Sequence, residues 1–203
     1  MVPQTEKGKF MLLYVTRHGE TDYNIEKRYT GSTDIPLNSK GLLQAHKLAV
    51  NLSSVPFDII ISSPLLRTKQ TAEIINKSFD VPIVIMNEFS EINVGIYEGL
   101  TKEEAQDKYP ETWEKIAKIY RDSGVRPIDY APANGETLRQ FDSRIANGLN
   151  KLKSDYIDKK ILLVCHAFTA KIINRQIKNL SFVDMDTFTL GNCEFVEYIF
   201  ADA

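Results

Sequence analysis

The sequence predicts an α/β fold: a three-layer α/β/α sandwich with a mostly parallel central sheet and a helical insertion. Two long apolar runs, 9–16 (KFMLLYVT) and 159–166 (KKILLVCH), have the continuous hydrophobicity of strands buried on both faces of a parallel sheet. Strand-like and helix-like segments alternate between and after these runs. No repeat, low-complexity tract or linker divides the 203 residues, so we expect one domain over 1–203.

The first half of the chain alternates strands and helices after the first apolar run. Leu42, Ala45 and Ala49 recur at helical spacing, which predicts one buried helix face. Ser63 followed by Pro64 has the form of a helix start, with serine as the cap and proline at the first helical position. The predicted elements are a strand over 9–16, a helix over 42–52, a strand over 57–62, a helix over 65–79 and a strand over 81–86.

The second half opens with a helical insertion at about 96–135. Thr101 and Glu104 have the spacing of a capping box, which predicts a short helix there. Gly191 and Asn192 form a turn signal in the tail, and we expect a strand on each side of it. The other predicted elements are helices over 111–122 and 135–152, a loop over 124–135, a strand over 159–166 and a helix over 167–177.

Composition and charge exclude several classes of function. Hydrophobic residues make up 43% and charged residues 26%, which is typical of a globular protein. The formal net charge is −2, so no overall positive field favours nucleic acid or an anionic membrane, and neither is expected as a partner. The two cysteines, Cys165 and Cys193, do not indicate a disulfide framework. Without a signal-peptide pattern or an apolar run near ~18 residues, we expect a cytoplasmic protein.

Four cationic or titratable side chains follow the predicted strands. Arg17 and His18 come after the first strand, Arg67 begins the helix after the second, and His166 ends the late strand. Because parallel strands place their carboxyl ends at one sheet edge, these side chains should meet. Arg67 would oppose the dipole of its helix, and a bound anion would remove that penalty. Two arginines and two histidines therefore predict an electropositive pocket for a phosphate dianion.

The same residues lie in motifs that resemble the histidine phosphatase superfamily, also called phosphoglycerate mutase-like. The stretch 13–21 (LYVTRHGET) is similar to its RHG signature, and Asn24 occupies the position of a phosphate-contacting asparagine. A bare RHG would be weak evidence, but further blocks follow in family order across nearly the whole chain. They are YTG at 29–31, SSPLLRTKQTA at 62–72, EINVG at 91–95, YEG at 97–99, GET at 135–137 and VCH at 164–166.

The resemblance implies a cofactor-free phosphatase that hydrolyses phosphomonoesters of small metabolites. His18 would be the nucleophile and would form a phosphohistidine intermediate that water then hydrolyses. Arg17, Arg67 and His166 would hold the phosphoryl oxygens, with His166 acting as a charged group or as a donor. Glu91 would be the general acid for the leaving alkoxide, kept protonated by the nearby phosphate dianion. The fold it implies places the insertion over the active site.

Physical chemistry adds two expectations for His18. The neighbouring arginines should favour its neutral form, and one ring nitrogen should donate to a backbone carbonyl so that the other keeps its lone pair. Gly19 should permit either a close backbone approach or a positive φ. Around the phosphate, the resemblance implies substrate contacts from Gly19, Asn24, Thr30, Gly31, Tyr97, Lys102 and Ala167.

Two other interpretations of the same residues stay open. His18, His166 and Glu91 could bind a metal ion, although the flanking arginines would repel a cation, so we expect no metal. The protein could instead bind a phosphorylated ligand without catalytic activity, although such a protein would not require every catalytic residue type. Glu20 and Glu136 are further candidates for contact with the active site.

The last alternative is a phosphoglycerate mutase that uses the same site. Mutases of this family carry a basic and an aromatic residue just after the catalytic glutamate, where this chain has Ile92 and Val94. Their longer insertion carries an arginine pair, whereas here Arg121 and Arg126 are separated. The stretch 91–98 (EINVGIYE) instead resembles the small phosphatases and the fructose-2,6-bisphosphatase branch. Neither the particular substrate nor the oligomeric state can be inferred from the sequence.

Overall fold

The computed structural model describes residues 10–201 and contains one five-stranded sheet. Its order is β3-β2-β4-β1-β5; the pairs β3–β2, β2–β4 and β4–β1 are parallel, and β5 is antiparallel to β1 at one edge. The predicted α/β fold with a mostly parallel sheet is confirmed. The strands are β1 Phe10–Arg17, β2 Ile59–Ser62, β3 Ile83–Ile85, β4 Lys160–Cys165 and β5 Phe195–Ala201.

Seven α-helices lie in the described part of the chain, together with three short 3-10 turns. The predicted helix at 111–122 is confirmed and ends at Ser123, where it is capped by Gly124, whose φ of 68° is the left-handed conformation that suits glycine. The helices are α1 Asp22–Ile25, α2 Ser39–Asn51, α3 Leu66–Asn76, α4 Lys102–Lys108, α5 Pro110–Ser123, α6 Leu138–Asp155 and α7 Ala167–Ile177. The 3-10 turns are Asn87–Phe89, Gly95–Tyr97 and Asp184–Thr187.

Helices cover both faces of the sheet, which gives the three layers. On one face, α6 and α7 pack through residues such as Phe141 and Ile172 against the alternate residues of β1, which include Leu13. On the other face, α2 and α3 pack through residues such as Leu48 and Ile75 against β2 and β4. Each apolar helix face is removed from water in this way, and this burial is the dominant favourable term in folding.

Two predictions about local structure are wrong. Ser63 does not cap α3, which begins at Leu66 without a side-chain cap on its own N-terminus. The cap is supplied from another loop, because the Leu66 amide donates to Asp34 Oδ1 at 2.5 Å. In α2 the buried face includes Gly41, Ala45 and Ala49, but Leu42 is 39% exposed.

The tail holds one strand rather than two. β5 pairs with β1 after the turn, but the residues before the turn form a 3-10 turn and coil. The turn itself is present, since the Glu194 amide donates to the Gly191 carbonyl at 3.1 Å. The Leu190 carbonyl just before it accepts a hydrogen bond from Arg17 Nη1 at 3.3 Å. The backbone here contacts a charged side chain instead of another strand.

The predicted capping box at the insertion is confirmed at α4. Thr101 Oγ1 accepts from the Glu104 amide, and the Glu104 carboxylate accepts from the Thr101 amide at 2.9 Å.

A membrane-spanning helix is not found among residues 10–201, since no described helix combines sufficient length with sufficient apolar character.

Candidate active site

Three parallel strands bring the candidate residues to one edge of the sheet. Arg17 lies opposite Cys165 in the β1–β4 register, and the His18 amide donates to the Cys165 carbonyl at 3.0 Å. Ser63, which follows β2, donates through its amide to the Val164 carbonyl at 3.2 Å. Each strand therefore ends at the same level, as the rule for parallel sheets requires. The rings of His18 and His166, the residue after β4, lie 5.2 Å apart between centroids.

His18 is held in one tautomer. Its Nδ1 lies 2.7 Å from the Gly19 carbonyl oxygen, which can only accept, so Nδ1 carries the proton. Nε2 therefore keeps its lone pair in the neutral ring. Burial lowers the pKa of His18 well below its usual value, and the charges of Arg67 and Arg17 lower it further. A neutral imidazole with a free nitrogen is the form that a nucleophile needs.

Gly19 lies against the backbone of α2, as the close-approach expectation requires. A Cβ at Gly19 would lie 2.4 Å from the Gly41 carbonyl oxygen, and a Cβ at Gly41 would lie 2.1 Å from the Glu20 carbonyl oxygen. Both distances are too short for any side chain, so two glycines are needed where these segments cross. The crossing fixes the segment that follows His18.

Arg67 is a buried cation. It is 1% exposed, and it donates through Nη1 to the Thr33 carbonyl at 2.8 Å and through Nη2 to the Gly31 carbonyl at 2.9 Å. Burial lowers the pKa of Arg67 to about 10, an effect that the nearby Glu91 partly opposes. Its Nε is buried without a hydrogen-bond partner among the described residues.

Arg17 resembles Arg67 in its lowered pKa and in its unpartnered Nε. Burial lowers its pKa, with Glu91 again as the largest opposing influence, and its buried Nε has no hydrogen-bond partner within residues 10–201. In the same part of the chain, neither Arg17 nor Arg67 forms an ion pair with a carboxylate. Buried charge without a counter-ion is costly, so the arrangement favours binding of an anion.

His166 is fully buried, and its pKa is lowered well below the usual value by burial and by the positive charge of Arg67. Burial therefore favours the neutral ring of His166 in the free protein, and a neutral ring can still act as a donor. Its Nε2 lies 2.7 Å from Ser63 Oγ. Its buried Nδ1 has no partner among the described residues. If the Ser63 hydroxyl donates to Nε2, the proton of the neutral ring is on Nδ1.

Glu91 is oriented by the N-terminus of α7. Its Oε2 accepts from the Phe168 amide at 3.0 Å, and its Oε1 accepts from the amides of Thr169 at 3.2 Å and Ile92 at 3.0 Å. The dipole of the helix attracts the carboxylate to this position. Because α7 starts directly after His166, one short segment fixes both the carboxyl group and the second histidine.

Comparison with known proteins agrees with this geometry. Residues 13–203 match the histidine phosphatase superfamily (branch 1). The chain belongs to this superfamily. Its sequence is 36% identical over 187 residues to PhoE of Bacillus subtilis, described as an uncharacterized phosphatase, with 90% of this chain and 88% of PhoE covered. It is 30% identical over 186 residues to GpmB of Shigella boydii, described as a probable phosphoglycerate mutase, with 89% and 81% covered.

A solved structure shows the same fold. The α-ribazole phosphatase from Shigella flexneri superimposes with a TM-score of 0.83 at 24% identity, covering 92% of this chain and 89% of that one. At that identity the likeness concerns the fold alone. The match of residues 13–203 confirms the resemblance of the motifs to the histidine phosphatase superfamily.

The histidine phosphatase site opens into a cavity of about 610 Å³. Most of the residues expected around the phosphate line it, but Gly19, Lys102 and the fully buried His166 do not. Lys102 instead places Nζ 5.7 Å from the centroid of the Trp113 ring, which itself faces the cavity. The expected residues that do line the cavity are Arg17, His18, Asn24, Thr30, Gly31, Arg67, Glu91, Tyr97 and Ala167.

The end of the cavity at Arg17, His18 and Arg67 is here called the phosphate end, and two loops complete it. Gly31 has a φ of 50°, and the Glu98 carboxylate fixes the residues after it by accepting from the Ser32 amide at 2.8 Å and from the Thr33 hydroxyl at 2.7 Å. Asn24 belongs to a capping box with Thr21 at the start of α1. The Ser32–Glu98 contacts join sequence blocks far apart in the chain, so the sequence alone did not indicate them.

The far end of the cavity is mainly apolar and aromatic, and sequence analysis missed most of it. Its wall comes largely from α5 and the following loop, whose residues become neighbours only through folding. Helical spacing of Trp113, Ile116 and Tyr120 was the available signal, but amphipathic helices usually pack on a core. The aromatic residues lining the cavity are Tyr29, Tyr97, Trp113, Tyr120, Tyr130 and Phe168.

Charged residues in the far wall have partners of opposite charge. Arg28 contacts the carboxylates of Glu26 at 2.5 Å and Glu104 at 2.6 Å. Arg126 lies 3.2 Å from Asp186, and Glu136 lies 2.7 Å from Arg144.

Arg121 does not line the cavity and pairs with Glu114. Glu20 is also outside the cavity, where Lys40 contacts it at 2.8 Å. Of the two uncertain glutamates, Glu136 alone lines the cavity.

The chain's own side chains do not assemble a recognisable metal site in the part that the structure describes. No group of three or more histidine, cysteine, aspartate or glutamate residues within 10–201 has the spacing to hold an ion. The positive charge at the phosphate end comes from Arg17 and Arg67 instead.

Proposed function

We propose that this protein hydrolyses phosphomonoesters of small metabolites through a phosphohistidine intermediate on His18. The observation that carries the proposal is the placement of His18, whose Nδ1 is bound to the Gly19 carbonyl, beside the buried Arg67 and the half-buried Arg17. Burial lowers the pKa of His18, and neither arginine has a carboxylate partner among the described residues. A phosphate dianion supplies the missing counter-charge and places its phosphorus beside the nucleophile. Membership of the histidine phosphatase superfamily supports the same chemistry.

In the first step, the Nε2 lone pair of His18 attacks phosphorus and the bond from phosphorus to the ester oxygen breaks. Glu91 transfers its proton to that oxygen, so the alcohol leaves neutral. Arg17, Arg67 and the Nδ1 proton of His166 stabilise the charge on the phosphoryl oxygens. Asn24, Thr30, Gly31, Tyr97 and Ala167 complete the contacts to the substrate.

In the second step, water attacks the phosphohistidine. Glu91, now ionised, accepts a proton from that water as the bond between nitrogen and phosphorus breaks. Inorganic phosphate leaves, and both Glu91 and His18 return to their starting protonation states. The arginines supply the charge stabilisation that a metal ion provides in other phosphoryl-transfer enzymes, so we propose a metal-independent reaction.

The cavity favours a hydrolase over a mutase. Retaining a bisphosphate intermediate requires a second cationic subsite, but Ile92 and Val94 are apolar, and Arg28 and Arg126 are already paired with carboxylates.

We also propose that the enzyme is cytoplasmic. We propose that it is a single domain with a cap-like insertion at about 96–135.

The decisive experiment follows phosphate on the protein and in solution. With p-nitrophenyl phosphate and EDTA in the buffer, the wild type should release phosphate and, after quenching without acid, carry phosphate on a histidine. His18→Ala should lose at least about 10³-fold in rate and the label. His46→Ala is the matched control, because His46 lies exposed on α2. Full activity of His18→Ala, or a rate that chelation removes and a divalent ion restores, contradicts the proposal.

A further inference from the structure

We propose that Arg144 is a positioning residue that holds the segment 87–91 so that Glu91 can act as the acid. This inference rests on the role proposed for Glu91. Arg144 lies on α6, outside the wall of the active-site cavity, and no part of it faces the proposed phosphate subsite. It therefore acts through its neighbours rather than on the substrate.

The guanidinium of Arg144 binds several backbone carbonyls of the segment 87–91. Its Nη1 donates to the carbonyls of Glu88 at 2.8 Å and Ser90 at 3.0 Å, with a longer contact to Asn87 at 3.4 Å. Its Nη2 lies 3.4 Å from the Glu91 carbonyl. The segment has its own backbone hydrogen bond from the Ser90 amide to the Asn87 carbonyl at 3.1 Å, and the planar cation adds links between its other carbonyls.

A second carboxylate fixes the guanidinium itself. Glu136 accepts from Arg144 Nε at 3.0 Å and from Nη2 at 2.7 Å, a bidentate arrangement that sets the plane of the group. The Glu136 amide donates to the Asn93 carbonyl at 2.8 Å, on the other side of Glu91. The pair Arg144–Glu136 thus contacts the backbone both before and after the acid.

Packing prevents the guanidinium from moving away. It lies over the ring of Phe141, 5.0 Å from the centroid, and that ring is fully buried in the core. The pair is also shielded, with side-chain exposures of 25% for Arg144 and 17% for Glu136. A partly buried, bidentate pair is more rigid than an exposed one, so the position of Glu91 depends on it.

The test separates positioning of the acid from general support of the fold. Arg144→Lys keeps the charge but loses the planar fork. In single-turnover measurements, phosphoenzyme formation should slow by about 10-fold or more with an alkyl phosphate, whose leaving group needs a proton. With p-nitrophenyl phosphate it should slow by less than about 3-fold. Arg139→Lys is the matched control, since Arg139 lies on the same helix as Arg144 but pairs with Asp129 of the preceding loop.

A double variant shows whether the effect passes through Glu91. If it does, Arg144→Lys should change the alkyl phosphate rate little in a Glu91→Gln background, so the two changes are not additive. Additive effects, or equal losses with both substrates, overturn the inference. If Glu91→Gln itself affects both substrates equally, the proposed acid role fails instead, which is a different result. Should Arg144→Lys not fold, Glu136→Gln tests the same substrate ratio.

Discussion

At the residue scale, the site consists of positive charge buried around two histidines that the protein keeps neutral. Burial is the largest cause of the lowered pKa at both His18 and His166, and the charge of Arg67 is the next. The same burial lowers the pKa of Arg67 to about 10, so the cations themselves are costly. The site is therefore least favourable when empty, and a phosphate dianion would relieve the cost of both arginines at once.

The histidines predict a particular dependence of stability on pH. In the unfolded chain each has a pKa near ~6.5, whereas in the folded protein the pKa is well below that value. Above about pH 6.5 both histidines are mainly neutral in the folded protein and in the unfolded chain. Below it, the unfolded chain binds protons that the folded protein does not, so the free energy of unfolding falls as pH falls.

We expect His18→Asn to weaken this dependence. Asparagine does not titrate, so between about pH 6 and 5 the slope should decrease by up to about 1.4 kcal/mol per pH unit. Urea unfolding at several pH values measures it. Parallel curves for His18→Asn and the wild type would show that His18 is not held neutral.

The main catalytic candidates could be predicted at this scale, whereas their supporting residues could not. Arg17, His18 and Arg67 follow strands, and the rule of strand ends brings such residues together without knowledge of the fold. Ser63 was interpreted as a helix cap, yet its hydroxyl contacts His166 at 2.7 Å. Arg144 gave no local signal, because its partners are carbonyls about 55 residues away in sequence.

At the scale of elements, periodicity predicted strands and helices well where the element packs by its own apolar pattern. Errors occurred where a tertiary partner replaces a local one. The helix α3 begins at Leu66, where Asp34 caps it from another loop. Before Gly191, the Leu190 carbonyl accepts from Arg17 and not from a strand. Side-chain contacts of this kind are formed only in the folded chain.

The crossing of α2 with the segment after His18 predicts a costly substitution. A methyl group at Gly41 would lie 2.1 Å from the Glu20 carbonyl oxygen, so Gly41→Ala must push two backbones apart. We expect a loss of about 2–3 kcal/mol in the free energy of unfolding, and a slower reaction with p-nitrophenyl phosphate.

Gly124→Ala is the control for Gly41→Ala. Gly124 also requires glycine, with a φ of 68°, but a Cβ there would meet nothing within 4 Å. Its cost should be about 1 kcal/mol, from backbone strain alone, and its activity should be unchanged. Chemical denaturation measures both variants. Equal losses of about 1 kcal/mol would mean that the crossing relaxes more easily than the close contact at Gly41 implies.

At the scale of the whole molecule, the histidine phosphatase fold supplies the phosphate end of the cavity, and the segment 96–135 supplies much of the far end. The sheet edge was predictable from alternating elements. The far wall was not, because α5 carries an amphipathic pattern that would equally suit packing on a core. It is this wall that bears on the type of reaction.

The paired charges of the far wall lead to the last prediction, that the enzyme releases phosphate rather than moving it within a substrate. A mutase must keep its bisphosphate intermediate bound while the phosphoenzyme re-forms, which requires cations for a second acidic group. Here Ile92 and Val94 offer none, and Arg126 is paired with Asp186. Water should therefore reach the phosphohistidine before a second acceptor does. With 3-phosphoglycerate and a bisphosphoglycerate primer, we expect inorganic phosphate and little 2-phosphoglycerate, measured by following both products. The variant His18→Ala gives the background. Primer-dependent interconversion without net release of phosphate would identify a mutase instead.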